Sequence, residues 1–305
     1  MSNSTVDPTN NEALPVDHDP QDPPAPEPVP AGLVNSLDDL TIVESIASGG
    51  KLKSTSFFYI TETDEVYFGR TEKSKREVTI PEIIAALRRV PDQDIYARVP
   101  PSSADGSNNN ESSSGSGSDL TLAPETLTED ECLIYVKRPG LQWYEDMIGT
   151  EYCPKAVLDE TMIMEAISKT PHPNIVRYYG CRVRRGYITS IVLERLDKTL
   201  EQYVSTPAFE TLDKGRFFEQ LTSAVKYLHS LGLAHNDLNP QNIMVRGEGE
   251  GAAPVLIDFD SCQPFGKRLQ SLGTEGWFEK PFFTSEKEHD VYSLRKIEGW
   301  LRNPS

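Results

Sequence analysis

The spacing of apolar residues changes along the chain and predicts two kinds of element. Apolar runs of four to eight residues, some of them alternating with polar positions, predict strands. Apolar residues three and four positions apart predict helices, because such positions share one face of a helix. The strands predicted on this basis are 40–46, 56–61, 65–69, 133–137, 188–193 and 254–257.

The longer helices are predicted from the same spacing and from residues that favour helix ends. Thr79 with Glu82 three positions later is the arrangement of a capping box. The helix that it opens is expected to continue until Pro91, since proline ends helices. Gly232 is a natural stop for a helix over 214–230. The apolar faces are Ile83, Ile84, Leu87 and Val90 for the first helix; Val157, Met162 or Ile163, Met164 and Ile167 for 154–167; and Phe218, Leu221, Val225 and Leu228 for 214–230.

Two stretches lack any such spacing and divide the chain. Residues 1–36 are rich in Pro, Asp and Glu and contain no Lys or Arg. They are predicted to be a disordered acidic tail, because they cannot bury enough apolar surface to offset chain entropy. Residues 101–129 are rich in Ser, Asn and Gly and predict a linker. Between them, 37–100 form a small α+β unit, either separate or part of the larger domain at 130–305.

Charge and composition narrow the classes of function. The net charge of −17 gives no electrostatic support for a nucleic-acid partner or an anionic membrane. No apolar run approaches the roughly 20 residues of a membrane span, and the N-terminus does not resemble a secretory signal. We therefore expect an intracellular protein, cytoplasmic or nuclear. The four scattered cysteines, which predict reduced thiols rather than a zinc site, are Cys132, Cys153, Cys181 and Cys262.

The stretch 231–245 carries the first chemical motif, L-G-L-A-H-N-D-L-N-P-Q-N-I-M-V. Asp237 and Asn242 lie five residues apart in it, ahead of an apolar run. A surface turn rich in Asp and Asn would have a similar composition. The pattern resembles the catalytic loop of the protein kinase family, H-R-D-L-x-x-x-x-N. In that family the Asp accepts the proton of the hydroxyl that is phosphorylated, and the Asn holds Mg²⁺.

The strand 254–257 ends in Asp258, Phe259 and Asp260, which resemble the D-F-G motif of the same family. The resemblance implies that Asp258 holds Mg²⁺ at the phosphates of ATP. Asn242 and Asp258 both offer oxygen ligands, which suit a hard cation. The resemblance therefore implies ATP and Mg²⁺ as cofactors, with Asp237 as the catalytic base.

The strand 133–137 ends in Lys137 and resembles the family's V-A-I-K strand, whose Lys pairs with the α- and β-phosphates. The resemblance pairs it with Glu160 of the following helix. Glu165 is the alternative glutamate, and Lys155 is the alternative lysine. Residues 172–176 match the family's H-P-N-I-V, which joins that helix to the next strand.

Further matches extend the resemblance over about 131–301. Leu193 stands in the gatekeeper position, and Glu194 and Leu196 belong to the hinge that binds adenine through backbone groups. Gly273-Thr274 resembles the family's G-T motif. Asp290 resembles the residue that anchors the catalytic-loop backbone, and His235 is expected to be a packed core histidine.

The departures from the family pattern affect catalysis. No glycine-rich loop precedes Lys137; residues 48–50 could be a degenerate version only across a large insertion. Asn236 replaces the Arg that reads activation-loop phosphorylation, so no such switch is expected. Asn239 replaces a Lys near the catalytic Asp, and losing a positive charge there should slow phosphoryl transfer. Asp260 replaces the Gly of D-F-G.

The fold class predicted is therefore α+β, a two-lobe protein-kinase-like fold over 130–305. Its C-terminal lobe is expected to end just after the helix that the family calls αF. The leading hypothesis is an ATP- and Mg²⁺-dependent phosphotransferase acting on Ser or Thr hydroxyls of an unspecified protein substrate. One alternative is a pseudokinase that serves as an interaction module. Another is a small-molecule kinase of the aminoglycoside or choline type, whose H-x-D-x-x-x-x-N and I-D-F-[DE] motifs are also met by 235–242 and 257–260.

Overall fold

A computed structural model describes residues 32, 34–47, 49–101, 120–127, 133–141, 144–270 and 272–304. The predicted acidic tail lies outside the described residues except for 32 and 34–36, and the predicted linker except for 101 and 120–127. Cys132 and Ser48 also lie outside the described residues. The other three cysteines are buried free thiols.

The first part of the described chain is an antiparallel four-stranded sheet with one helix on it. Its strands pair in sequence order. Phe57, Ile83 and Leu87 are fully buried between sheet and helix. The elements are β1 (Thr41–Ile46), β2 (Leu52–Ile60), β3 (Val66–Thr71), α1 (Ile80–Ala86) and β4 (Arg88–Arg89).

Helix α1 begins at the predicted capping box but ends earlier than predicted. The Thr79 amide and hydroxyl both donate to the Glu82 carboxylate. The backbone leaves the helix at Leu87 because β4 pairs with β3, and the Val90 amide donates to the Val66 carbonyl at 2.8 Å. Leu87 is buried beside Ile83 where the helix ends, whereas Val90 lies beyond β4 and is buried with Phe58 and Val66.

A second sheet is built around one buried strand. β7 pairs along β8, whereas β5 pairs with the start of β8 and β6 with its end. β8 is buried from Tyr187 to Leu193, which accounts for its mostly apolar sequence; Thr189 and Ser190 are the buried polar residues within it. The elements are β5 (Ala97–Arg98), β6 (Ile134–Lys137), α2 (Tyr144–Met147), α3 (Tyr152–Ser168), β7 (Tyr178–Arg184) and β8 (Tyr187–Glu194).

The C-terminal part is mainly helical and carries two short sheets. Helix α5 begins after Asp213, whose carboxylate accepts from the Arg216 amide, and the chain turns at Gly232 with a φ of 74°. Its buried face includes Phe217 rather than the predicted Phe218. The elements are β9 (Lys198–Thr199), α4 (Leu200–Tyr203), α5 (Lys214–Ser230), β10 (Leu233–Ala234), β11 (Ile243–Arg246), β12 (Ala253–Leu256), β13 (Gln263–Pro264) and α6 (Lys287–Arg302).

The first sheet packs directly on the second part of the chain. One buried cluster joins Phe58 and Val66 of the first sheet to Tyr144 and Tyr187. Phe68 meets Tyr144 edge to face, with ring centroids 5.1 Å apart. None of the described helices combines the length and the apolar character needed to cross a bilayer.

Candidate active site

The loop after β10 is fixed by a buried carboxylate from α6. Asp290 is fully buried and accepts from the backbone amides of His235 and Asn236, each at 2.9 Å. The His229 ring donates to the same carboxylate at 2.8 Å. His235 is itself buried, and its Nε2 lies 3.0 Å from the Ile257 carbonyl. The loop backbone is therefore held from two sides.

The Asp237 carboxylate is oriented by three neutral donors. Its Oδ1 accepts from the Thr274 amide at 2.7 Å and from the Asn239 side chain at 3.1 Å. Its Oδ2 accepts from the Asn242 side chain at 3.0 Å. Gly273 allows this approach, because a Cβ there would lie 2.8 Å from the Asn236 carbonyl oxygen. The carboxylate is positioned without a cationic partner among these donors.

Asn239 joins the two segments around Asp237. Its amide nitrogen lies 3.1 Å from the Thr274 hydroxyl, and its oxygen accepts from the Gln241 amide at 2.8 Å. Where the family has Lys, this chain therefore has a neutral bridge. The G-T motif indicated Thr274 as a family match but did not reveal its contacts with Asp237 and Asn239.

Asn236, the residue in place of the family's Arg, makes a different bridge. Its side-chain nitrogen donates toward the Ala234 carbonyl, the Ser261 carbonyl and the Ser285 hydroxyl, at 2.9 to 3.0 Å. Its backbone is left-handed, with a φ of 65°. A neutral amide thus connects the loop to the segment after Asp260 and to the start of α6.

The hairpin of β11 and β12 brings Asn242 and Asp258 to one end. The Asn242 carbonyl accepts from the Ile257 amide at 3.0 Å. This hydrogen bond extends the pairing of the two strands at their open end, next to Asp258. The Asn242 side-chain nitrogen faces Asp237, so its carboxamide oxygen is the atom left for a cation. Asp258 has a φ of 61°, and its side chain is 40% exposed.

Lys137, at the end of β6, meets three carboxylates. Its Nζ lies 2.7 Å from Glu160 Oε1, 2.8 Å from Asp258 Oδ1 and 2.8 Å from Asp260 Oδ1. The contact with Asp260 was not predicted, since the family has Gly at that position. These four residues are called the charged cluster below.

The alternative glutamate and lysine have other partners. Glu165 accepts from the Thr121 amide and hydroxyl and from the Tyr178 hydroxyl. Lys155 pairs with Asp159 one helical turn away. The structure therefore brings Lys137 and Glu160 together and leaves the alternatives outside the charged cluster.

The electrostatics of the charged cluster follow from burial and crowding. Burial disfavours the ammonium of Lys137, but the carboxylates more than offset it and hold the pKa of Lys137 well above its ordinary value. Burial raises the pKa of Glu160 well above its ordinary value, against the effect of Lys137 and with a further contribution from Asp260. Burial opposes ionisation of Asp260, yet Lys137 and a hydrogen bond from Glu160 lower its pKa. Oxygen atoms of the three acids lie within 4.8 Å of one another, a donor set that suits a divalent cation.

A cavity of about 620 Å³ adjoins the charged cluster. Its walls include Lys137 and Asp258 together with the predicted hinge residues Glu194 and Leu196. The Glu194 carboxylate forms an ion pair with Arg246, so only the backbone of Glu194 is suited to a ligand in the cavity. The cavity also contacts the predicted gatekeeper, Leu193.

Known proteins share this arrangement at the level of sequence. Over 160 residues the chain is 33% identical to "Serine/threonine-protein kinase/endoribonuclease IRE1" of Hypocrea jecorina (strain QM6a). The aligned residues cover 47% of this chain and 12% of that protein. Over 120 residues it is 38% identical to "Serine/threonine-protein kinase/endoribonuclease IRE2" of Homo sapiens, 35% of this chain and 12% of that protein. Over 153 residues it is 29% identical to "Probable serine/threonine-protein kinase fhkE" of Dictyostelium discoideum.

These matches span 12 to 21% of the length of the three relatives. Residues 141–294, about half of the chain, match the family described as "Protein kinase domain". The predicted α+β, protein-kinase-like fold class is confirmed by that match, and the chain belongs to the protein kinase family.

Proposed function

We propose that this chain is a phosphotransferase of the protein kinase type that uses ATP and Mg²⁺ and acts on Ser or Thr hydroxyls. The observation that carries the proposal is the direct contact of Lys137 with both Glu160 and Asp258. The names of the relatives, all Ser/Thr kinases, support the choice of hydroxyl. The names of the first two relatives also include endoribonuclease.

Asp237 is the proposed base for the hydroxyl of a protein substrate. A base must lie within hydrogen-bond reach of the proton that it accepts, in a fixed orientation. The donors around the Asp237 carboxylate fix its orientation, and Asn239 links it to Thr274. Asn239 is therefore proposed to position Asp237 rather than to contribute charge.

The other roles follow from the charged cluster and the cavity. Lys137 is proposed to bind the α- and β-phosphates while Glu160 orients its ammonium. Glu194 and Leu196 are proposed to hold adenine through backbone groups. The carboxylate of Asp258 and the carboxamide oxygen of Asn242 are proposed as Mg²⁺ ligands, because Mg²⁺ prefers oxygen donors. When bound, Mg²⁺ would neutralise charge on the β- and γ-phosphates.

Nucleotide titration tests this proposal directly. ATP is titrated into the wild type and into Asp258→Asn, each with Mg²⁺ and with chelator, and followed by thermal shift. We expect Mg²⁺-dependent binding by the wild type and its loss in the variant. A ligand at about 100 times its dissociation constant stabilises by about 2.7 kcal/mol, which is readily detected.

A matched control removes the carboxylate next to Glu160 in the sequence, which does not line the cavity. Asp159→Asn changes an acid that pairs with Lys155 and lies outside the charged cluster. Its binding of ATP should equal that of the wild type. Equal affinity of the wild type in Mg²⁺ and in chelator would contradict the assignment of Asn242 and Asp258 as metal ligands.

A second candidate is a pseudokinase that binds nucleotide without transferring phosphate. Two observations favour it. The Asp260 carboxylate forms an ion pair with the Lys137 ammonium, which the phosphates of ATP would otherwise contact. A neutral Asn239 stands where the family has Lys. Phosphate incorporation into the protein and into a generic Ser/Thr substrate separates the two candidates. ATP binding without any incorporation, at protein concentrations where binding is saturated, would favour the pseudokinase.

A further inference from the structure

Asp64 lies at an unusual place for a carboxylate. It belongs to the turn between β2 and β3, which begins with a hydrogen bond from the Asp64 amide to the Thr61 carbonyl. Turn residues usually face solvent, and aspartates are seldom fully buried without partners. Asp64 is only 1% exposed, and its backbone is left-handed, with a φ of 59°.

The partners of the Asp64 carboxylate and carbonyl all lie outside its own sheet. Its Oδ1 accepts from Arg138 Nε at 2.9 Å, and its Oδ2 accepts from the Thr189 hydroxyl at 2.8 Å. Its carbonyl accepts from the Tyr96 hydroxyl at 2.9 Å and from Arg185 Nη2 at 3.1 Å. A buried, charge-assisted contact of this kind is stronger and more directional than a surface ion pair.

The two carboxylate partners flank the end of the β6–β8 ladder. The last pair in that ladder is Lys137 with Ile191. Arg138 is the next residue of its strand, and Thr189 lies two residues before Ile191. Pro139 has no backbone N–H that could donate a further hydrogen bond to the ladder. The Asp64 carboxylate therefore joins the two strands where their own hydrogen bonding stops, one residue beyond Lys137.

The first sheet also holds α2, which lies between β6 and α3. Glu145 of α2 accepts from the Ser56 hydroxyl at 3.2 Å and forms an ion pair with Arg70. Tyr144 packs on Phe68. The segment that connects Lys137 to the helix bearing Glu160 is thus held by the first sheet on both sides of residues 142–143.

We infer that Asp64 is a positioning residue that sets Lys137 against Glu160, so that the first sheet acts as a built-in support of the phosphate-binding end of the site. This inference rests on the proposed nucleotide site for its functional meaning. The alternative is that Asp64 only fastens one sheet to the next. The two differ in what happens to phosphate binding when the carboxylate is removed and the fold remains.

The test compares ATP with adenosine in the full chain. Adenosine lacks phosphates, so its affinity does not depend on the placement of Lys137. For Asp64→Ala we expect the dissociation constant of Mg²⁺-ATP to rise about tenfold, because Lys137 would no longer be held where it meets the phosphates; a tenfold rise corresponds to about 1.4 kcal/mol. The dissociation constant of adenosine should stay within about twofold. Asp64→Asn keeps the shape and an acceptor oxygen, and we expect it to recover most of the loss.

The matched control is Glu65→Ala. Glu65 is the next residue of the same turn, and its carboxylate forms an ion pair with Arg89 inside the first sheet. We expect no change in the ratio of ATP to adenosine affinity. An equal rise in both dissociation constants for Asp64→Ala, or the same change in ratio for Glu65→Ala, would overturn the positioning role.

A readout without nucleotide keeps this inference separate from the proposed function. Hydrogen exchange well below the unfolding temperature reports local opening. We expect faster exchange in β6 and α3 for Asp64→Ala but not for Glu65→Ala. Unchanged exchange in β6 and α3 would overturn the inference even if ATP binds. A wild type that binds neither ATP nor adenosine would contradict the proposed function, while the exchange measurement would still decide the role of Asp64.

Discussion

Asp237 and Lys137 lie in two regions of the candidate site that are held by different interactions. The Asp237 loop is fixed by neutral hydrogen bonds and by the buried carboxylate of Asp290. The charged cluster around Lys137 contains three carboxylates and one ammonium.

The Asp237 loop positions a carboxylate, whereas the charged cluster balances opposite charges. The loop has its donors in place, so its geometry does not depend on a ligand. The charged cluster holds close carboxylates whose repulsion a cation would relieve. We therefore expect substitutions in the loop to affect transfer or folding, and substitutions in the charged cluster to affect nucleotide and metal binding.

The largest expected effect is on transfer. Asp237→Ala should lower phosphate incorporation by about 10²–10⁴-fold, because general-base and positioning effects are of that size. ATP binding should be largely retained, since Asp237 does not contact Lys137 or Asp258. Incorporation equal to that of the wild type would exclude Asp237 as the base. Incorporation by the purified protein and a parallel ATP titration provide the measurements.

The next largest effect is on folding. Asp290→Ala leaves two backbone amides and the His229 ring without their buried acceptor, which should cost about 3 kcal/mol or more of unfolding free energy. Asp290→Asn retains one acceptor oxygen and should cost less. Urea unfolding measures both. A loss below about 1 kcal/mol for Asp290→Ala would show that the loop does not depend on this anchor.

A smaller effect is expected from Asp260→Gly, which restores the family residue and frees the Lys137 ammonium. The affinity for Mg²⁺-ATP should rise about fivefold, equivalent to the roughly 1 kcal/mol of one unit charge about 4 Å away in a high dielectric. The same change made in a Lys137→Ala background should give a much smaller gain. Weaker ATP binding by Asp260→Gly would instead show that Asp260 helps to hold the metal.

The last prediction is that removing phosphate groups from the protein has no effect on its kinase rate. Asn236 bridges the loop to Ser261 and Ser285 through a neutral amide and has no charge for a phosphate. Phosphatase treatment should therefore leave any kinase rate unchanged. A large fall in rate after dephosphorylation would show that another basic residue reads a phosphate in place of the family's Arg.

Local sequence determined some elements well. The prediction of a helix over 214–230 agrees with α5, because Asp213 caps its start and Gly232 allows the turn at its end. The capping box of α1 was likewise visible in Thr79 and Glu82. The end of α1 was not, because the pairing of β4 with β3 depends on residues about twenty positions away.

The candidate site likewise has features that local sequence predicts and features that depend on residues distant in the chain. The sequence motifs alone group Asp237, Asn242 and Asp258 at one chemical site, and their roles stay predictions. The contact between Lys137 and Asp260 spans 123 positions in the chain, and the family pattern gave no reason to expect it. The burial of Asp64 was equally hidden, since its partners come from three other segments.

Gly273 gives the loop a property that its chemistry alone does not. The space for a Cβ at this position is already taken by the Asn236 carbonyl, 2.8 Å away, and the Asp237 carboxylate is 3.5 Å away. A saturation screen of positions 270–276 should therefore find almost no tolerated replacement at Gly273, even alanine. Because the obstructing atom belongs to the backbone of the loop that carries Asp237, a Cβ there should displace that loop and lower phosphate incorporation. Glycine at position 273 is therefore expected to be required for the placement of the Asp237 carboxylate.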